Sequence, residues 1–299
     1  MVTAAELGDK RGRNLSAVVG SLAATFVSQA ALVASGVVVA RMLGPQNRGY
    51  LALFVISTTI LFLLGGLGLP AATAYYTARK PTQSRALLGL AVRPLLAQIV
   101  VLTTIQASVV FVFLSHEPAS VRVAGMISIA AVGAILTSDY CLAGLQGLRR
   151  FTAFNLLRPL QATAYAGGAL LLFIFHQGNL ATVTLIWVLA SVITAATATV
   201  TWTRSVARIH DHDGLPSRVN LLRFGLRGLL GTASPIETFR LDQAIVGLFL
   251  SPAALGLYVV AAALSNVPRF IGLSVGVVLY PHMASQSTSD EAVRALWRY

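Results

Sequence analysis

Between Ala86 and Leu114 the sequence reads ALLGLAVRPLLAQIVVLTTIQASVVFVFL, in which Arg93 is the one charged residue. At 1.5 Å per residue such a run makes about 43 Å of α-helix, more than the roughly 30 Å hydrocarbon core of a bilayer. Working outward, seven other stretches pass the same test: Leu15 to Ala40, Gly49 to Ala72, Val123 to Leu148, Phe151 to Phe175, Leu180 to Thr203, Leu221 to Leu250 and Ala253 to Tyr280. The period-two alternation of a transmembrane barrel is absent. The 299-residue chain is 56% apolar and 11% charged, with mean hydropathy +0.76. Soluble domains hold about 45–50% apolar and roughly 25% charged residues. A water-soluble enzyme, a nucleic-acid binder and a disordered chain are all excluded on that balance. The sequence predicts an all-α integral membrane protein with about eight transmembrane helices.

The charge is basic, 22 Lys and Arg against 10 Asp and Glu. With the N-terminus cytoplasmic, 13 of the basic residues fall on the cytoplasmic side, among them Lys10, Arg79, Lys80, Arg149, Arg204 and Arg294. Three, Arg41, Arg48 and Arg122, fall on the other, and six lie within spans. That asymmetry predicts both ends of the chain in the cytoplasm and a multi-pass plasma (inner) membrane location. The first apolar stretch follows Lys10, Arg11 and Arg13, but it is too long for a signal-peptide core and seven spans follow it. One cysteine, Cys141, excludes an intrachain disulfide and a Cys-based zinc site. The loops are too short for an extramembrane catalytic domain, and no phosphate-binding G-x-x-x-x-G-K-[ST] loop is present. The expectation is therefore no enzyme, no metal and no cofactor, beyond a coupling proton or sodium ion.

An internal repeat divides the chain. Leu43-Gly44-Pro45-Gln46-Asn47-Arg48-Gly49 joins helices 1 and 2, and Leu250-Ser251-Pro252-Ala253-Ala254-Leu255-Gly256 joins helices 7 and 8. Leu43, Pro45 and Gly49 match Leu250, Pro252 and Gly256 at a constant offset of 207 residues. Duplicated helical units with substrate held between them are a common transporter plan. The expected organisation is a cytoplasmic tail at 1–13, a six-helix lobe at 14–203, and a cytoplasmic linker at 204–220. The first two helices of a second lobe follow at 221–284. Ser287 to Glu291 caps the start of a cytoplasmic amphipathic helix at 285–299 that stops without a terminating residue, so a C-terminally truncated chain is expected.

Val39-Ala40-Arg41-Met42-Leu43-Gly44-Pro45 through Gly49-Tyr50 resembles the helix 1–2 junction of polysaccharide biosynthesis proteins. These are the O-antigen-type oligosaccharide-lipid flippases of the multidrug/oligosaccharidyl-lipid/polysaccharide exporter superfamily. Arg240-Leu241-Asp242, Gly247 to Leu250 and Ala254 to Tyr258 are similar to that family's helix 7–8 junction, and Pro281-His282-Met283 also resembles it. The resemblance implies two six-helix lobes around a central cavity. It also implies movement of undecaprenyl-pyrophosphate-linked oligosaccharide across the inner membrane by alternating access, for surface polysaccharide such as lipopolysaccharide O-antigen. The partners it implies are the lipid-linked oligosaccharide, membrane lipids and polysaccharide assembly proteins.

Ionisable residues inside spans supply the candidate site, because each costs about 2.5–3.5 kcal/mol at a helix centre. Arg93 and Arg158 each sit about 10 Å from the cytoplasmic end of their helices, with Asp139 at a similar level. Glu237, Arg240 and Asp242 on helix 7 and Arg269 on helix 8 lie closer to mid-membrane. Glu237 and Arg240, three apart, would share a helix face. The arginines Arg93, Arg158, Arg240 and Arg269 suit a pyrophosphate, since the guanidinium fork gives paired hydrogen bonds to phosphate oxygens. Asp139, Glu237 and Asp242 would hold the empty arginines or bind the coupling ion. Beside this stand plainer readings. Arg93, Arg158, Arg223 and Arg227 can snorkel to headgroups, and Glu237–Arg240 can be a structural pair.

Pro94, Pro159, Pro235 and Pro268 predict kinks, and Gly272 with Gly276 predicts close helix packing. His210-Asp211-His212-Asp213 reads as a solvated linker, Cys141 as a packing residue, and Tyr75-Tyr76 as part of an interfacial aromatic belt. Rival functions remain open: a lipid II flippase, a drug/cation antiporter, and a non-transporting scaffold of a polysaccharide assembly complex. A membrane-embedded glycosyltransferase or polymerase would need catalysts beside a sizeable loop, and these loops are too short.

Overall fold

A computed structural model describes the backbone at 4–206, 217–232 and 240–265, with side chains from residue 19 onward except 230–232 and 264. Among the described residues all regular structure is helical. Four stretches are long and apolar enough to cross a membrane: Val19–Gly65, Pro81–Phe113, Ala119–Gly147 and Leu180–Ser205.

The first helix, α1 (Ala4–Gly65), begins inside the residues expected to form a tail and bends back at Gly44 (φ 70, ψ 174). That left-handed φ needs glycine, and Pro45 then opens the second arm, where its missing N–H is no loss. The arms run back along each other, so that Leu32, Gly36 and Val39 meet Arg48, Leu51 and Val55 around one space.

The second arm starts at Pro45, not Gly49, and ends at Gly65. A turn through Gly68 (φ 65) leads into α2 (Leu69–Arg79), which runs past the expected end at Ala72. Breaking a helix inside a membrane leaves carbonyls that water cannot reach. Here Gln98 Nε2 donates to the carbonyls of Gly65 (2.9 Å) and Gly66 (3.2 Å), and Tyr140 donates to Gln98 Oε1 at 2.7 Å. Two side chains from neighbouring helices therefore hold the break in place.

A short 3-10 turn leads to α3 (Ser84–Phe113), followed by α4 (Ala119–Gly147), and both match their expected spans to within four residues. Helix 5 is two pieces, α5 (Phe151–Leu157) and α6 (Leu160–Ile174), parted at Arg158-Pro159, because proline cannot continue the ladder of hydrogen bonds. Next comes α7 (Leu180–Ser205), opened by an Asn179–Thr182 capping box. It packs along α4, where Gly144 lies flush against the Trp202 indole. Cys141, Leu145, Ala198 and Trp202 form the buried cluster there, so Cys141 is indeed a packing residue.

Helix 7 is likewise not one span. Its described parts are α8 (Arg218–Thr232) and α9 (Leu241–Phe249), and Arg240 precedes α9 in a left-handed conformation (φ 48, ψ 43). On α8, Gly225 lies against the backbone of Leu67 and Gly68, and Phe224 stacks on Tyr75 at 4.3 Å. The Tyr75–Tyr76 pair thus belongs to an aromatic cluster with Phe224. The last described helix is α10 (Pro252–Ser265).

At one end of the bundle the two halves touch through the repeated loops. Gly49 lies flush against the Pro252 carbonyl and Gly256 against the Pro45 carbonyl, so residues 207 apart exchange partners. A pair of elements related by a two-fold axis makes contacts of this reciprocal kind. Tyr50 donates to Glu117 Oε2 at 2.6 Å at the same end. The opposite end carries the exposed residues Arg79, Lys80, Arg85, Arg149, Arg150, Arg204 and Arg218.

Candidate functional site

Just inside the Pro45 end lies a cavity of about 130 Å³ to which both halves contribute. The two arms of α1 supply Ser35, Gly36, Val39, Arg48, Leu51 and Val55, while α6 and α7 supply Tyr165 and Trp187. From the second half come Arg240 and Gln243 at the start of α9, and Val259 of α10.

Helical geometry explains the wall. Arg48, Leu51, Ala52 and Val55 follow the i, i+3, i+4, i+7 spacing of one helix face, so the arm that buries Leu51 carries Arg48 inward. Opposite it, the left-handed turn at Arg240 starts α9 so that Arg240 and Gln243 fall on the cavity side.

Polar atoms in this cavity lack protein partners. Arg48 Nε is buried with no hydrogen bond, and so is Gln243 Oε1 on a side chain only 9% exposed. Most buried polar groups are paired, and leaving one unmade costs about 1–3 kcal/mol. Arg48 lies within electrostatic range of both Arg240 and the Tyr165 hydroxyl. Among the described residues no Asp or Glu lines the cavity. Buried Arg48 and the more exposed Arg240, on which Asp242 acts from outside the lining, make this cavity a candidate anion site.

The residues singled out from sequence distribute unevenly. Arg240 lines the cavity. Asp242 does not; its Oδ2 accepts from the Tyr258 hydroxyl at 2.9 Å, tying α9 to α10. Glu237 and Arg269 lie outside the described residues, as do Pro235, Pro268, Gly272, Gly276 and the 210–213 stretch. The helical spacing expected to join Glu237 and Arg240 does not run through Arg240, whose backbone is left-handed.

Arg93 and Arg158 are exposed and stand apart from the cavity. Arg93 shares its face with Leu96 (i+3) and Val100 (i+7), both exposed and apolar, and Arg158 lies over the Phe154 ring at 5.9 Å. Both placements match arginines reaching along apolar surface toward a headgroup layer. Asp139 is half-buried on α4, and no ion pair joins it to either arginine among the described residues.

Sequence reasoning had set Arg48 in a loop beside Arg41 and Arg122. The loop is shorter than expected because the helix resumes at Pro45. The apolar residues three, four and seven positions after Arg48 carried the signal. Tyr165, Trp187 and Gln243 went unremarked, since uncharged polar residues in an apolar run leave no mark on charge or hydropathy.

A profile described as polysaccharide biosynthesis protein matches residues 16–287. No curated protein and no solved structure matches the chain.

Proposed function

We propose, from the premise that this chain belongs to the polysaccharide biosynthesis protein family, that it flips undecaprenyl-pyrophosphate-linked oligosaccharide across the inner membrane for surface polysaccharide synthesis. In this reading it is a transporter and not an enzyme. Its helices form about eight spans in a six-helix lobe and the beginning of a second, with the basic Lys80 end in the cytoplasm. The observation that carries the reading is that Arg48 and Arg240, one from each half, line one cavity to which no described residue contributes a carboxylate. A pyrophosphate leaving the headgroup layer needs such cationic forks, and the polyprenyl tail stays in lipid.

At about 130 Å³ the cavity holds roughly four waters at about 30 Å³ each, room for a phosphate group and not for a sugar chain. The halves must therefore separate to admit the headgroup. Rocking about the reciprocal Pro45–Gly256 and Pro252–Gly49 contacts is the motion proposed. Asp139, Asp242 and Glu237 are the candidates to carry a coupling proton or sodium ion, and polysaccharide assembly proteins are the expected partners.

The test is flipping of a fluorescent lipid-linked oligosaccharide by the purified chain in proteoliposomes, read by dithionite quenching. Arg48→Ala and Arg240→Ala should each slow it about tenfold or more, the loss expected for a charge-assisted hydrogen bond. Flipping that persists unchanged in both variants would overturn the assignment.

A further inference from the structure

A second and larger cavity, about 650 Å³, opens between the first arm of α1 and α5. That volume falls within the roughly 300–1,000 Å³ of small-molecule sites. It is built differently from the arginine cavity. Gly20, Ala23 and Ala24 give a wall of small residues, and Val27 extends it. Phe151 and Leu156, exposed at 37% and 70%, form its apolar rim. Arg149, Thr152 and Asn155 supply the polar groups of its lining. Arg149 terminates α4 in a left-handed turn (φ 56), with Arg150 exposed beside it, and among the described residues no acidic side chain lines the groove.

The groove is separate from the site between the halves. Gly20, Ala24 and Val27 follow one stripe of α1, whereas Leu32, Gly36 and Val39 follow another and line the arginine cavity. Both described walls of the larger groove belong to the first half of the chain.

We propose that this groove holds an anionic phospholipid of the surrounding bilayer, with its phosphate on Arg149 and one acyl chain along Ala24 and Val27. The charge argues for an anion, since a cation-bearing mouth beside a basic helix end attracts acidic headgroups. The apolar rim argues for an acyl chain, since Val27, Phe151 and Leu156 are exposed apolar residues at the groove. A polyprenyl substrate tail would instead follow its pyrophosphate to the other stripe of α1.

The probe is vesicles of nine parts phosphatidylcholine to one part phosphatidylglycerol. The full chain is reconstituted in them and extracted in mild detergent, and co-purifying lipid is counted by native mass spectrometry. One phosphatidylglycerol per chain should be retained in preference to phosphatidylcholine. Arg149→Gln should weaken that preference about fivefold, the effect of one basic residue at an anionic surface. Val27→Trp, at a position already half exposed, should displace the lipid by filling the groove. Arg48→Ala, which acts only on the proposed transport site, should leave retention unchanged. Equal retention of both lipids, or indifference to Arg149→Gln and Val27→Trp, overturns the proposal. Competitive displacement of phosphatidylglycerol by undecaprenyl pyrophosphate overturns it in favour of the substrate tail.

Discussion

Arg41 and Arg48 lie seven residues apart, yet Arg41 is exposed while Arg48 lines the cavity with its Nε buried. Between them stands Gly44, whose left-handed backbone turns the chain and resets which face looks inward. At this scale the guanidinium shape matters as much as its charge. Arg48→Lys should keep the charge but lose the planar fork, leaving flipping reduced by about tenfold, whereas Arg41→Gln should leave it within twofold. Arg93→Gln and Arg158→Gln should behave like Arg41→Gln, because neither side chain lines the cavity. The same proteoliposome flipping rates check all four. Arg240 was legible in the sequence as a candidate, because a charge in an apolar run announces itself, and it lines the cavity. Arg48 was hidden by its position, since a charge beside Gly-Pro reads as a loop until the helix is seen to restart.

Among the described residues three expected spans are broken, each for a different reason. Pro159 parts α5 from α6 and was visible as a proline. The left-handed residue ahead of α9 is an arginine, which no propensity scale would offer as a break. The turn at Gly66-Leu67-Gly68 is held by Gln98 and Tyr140 and wedged against Gly225, contacts that join residues far apart in sequence. Local pattern cannot reveal such a tertiary cause. Gly68→Ala adds a Cβ at φ 65 that collides with the Gly225 backbone, so it should destabilise the protein by about 2–3 kcal/mol. Gly89→Ala, with open space around it inside α3, should be neutral or stabilising by up to about 1 kcal/mol. Thermal unfolding in detergent compares the two. Equal effects would contradict the proposed role of the Gly68–Gly225 contact.

Across the whole molecule, the halves meet through two glycines that each leave no room for a Cβ. Gly49→Ala and Gly256→Ala should push the repeated loops apart by equivalent amounts, since each glycine faces the proline carbonyl of the other loop. In a Cys141→Ser background, Val39→Cys, at a cavity position 1% exposed, should then react faster with a water-soluble maleimide in either glycine variant. The match of Leu, Pro and Gly at a fixed offset was readable, but the direct contact of the two loops was not, because spacing says nothing of distance. The claim on which everything else rests is that arginines from both halves grip one phosphate. The direct measurement is a double-mutant cycle on undecaprenyl pyrophosphate binding in detergent, with Arg48→Ala, Arg240→Ala and the combination. Shared contact to one anion predicts coupling, with the double variant binding little worse than either single one. Losses that simply add, or no loss at all, would contradict it.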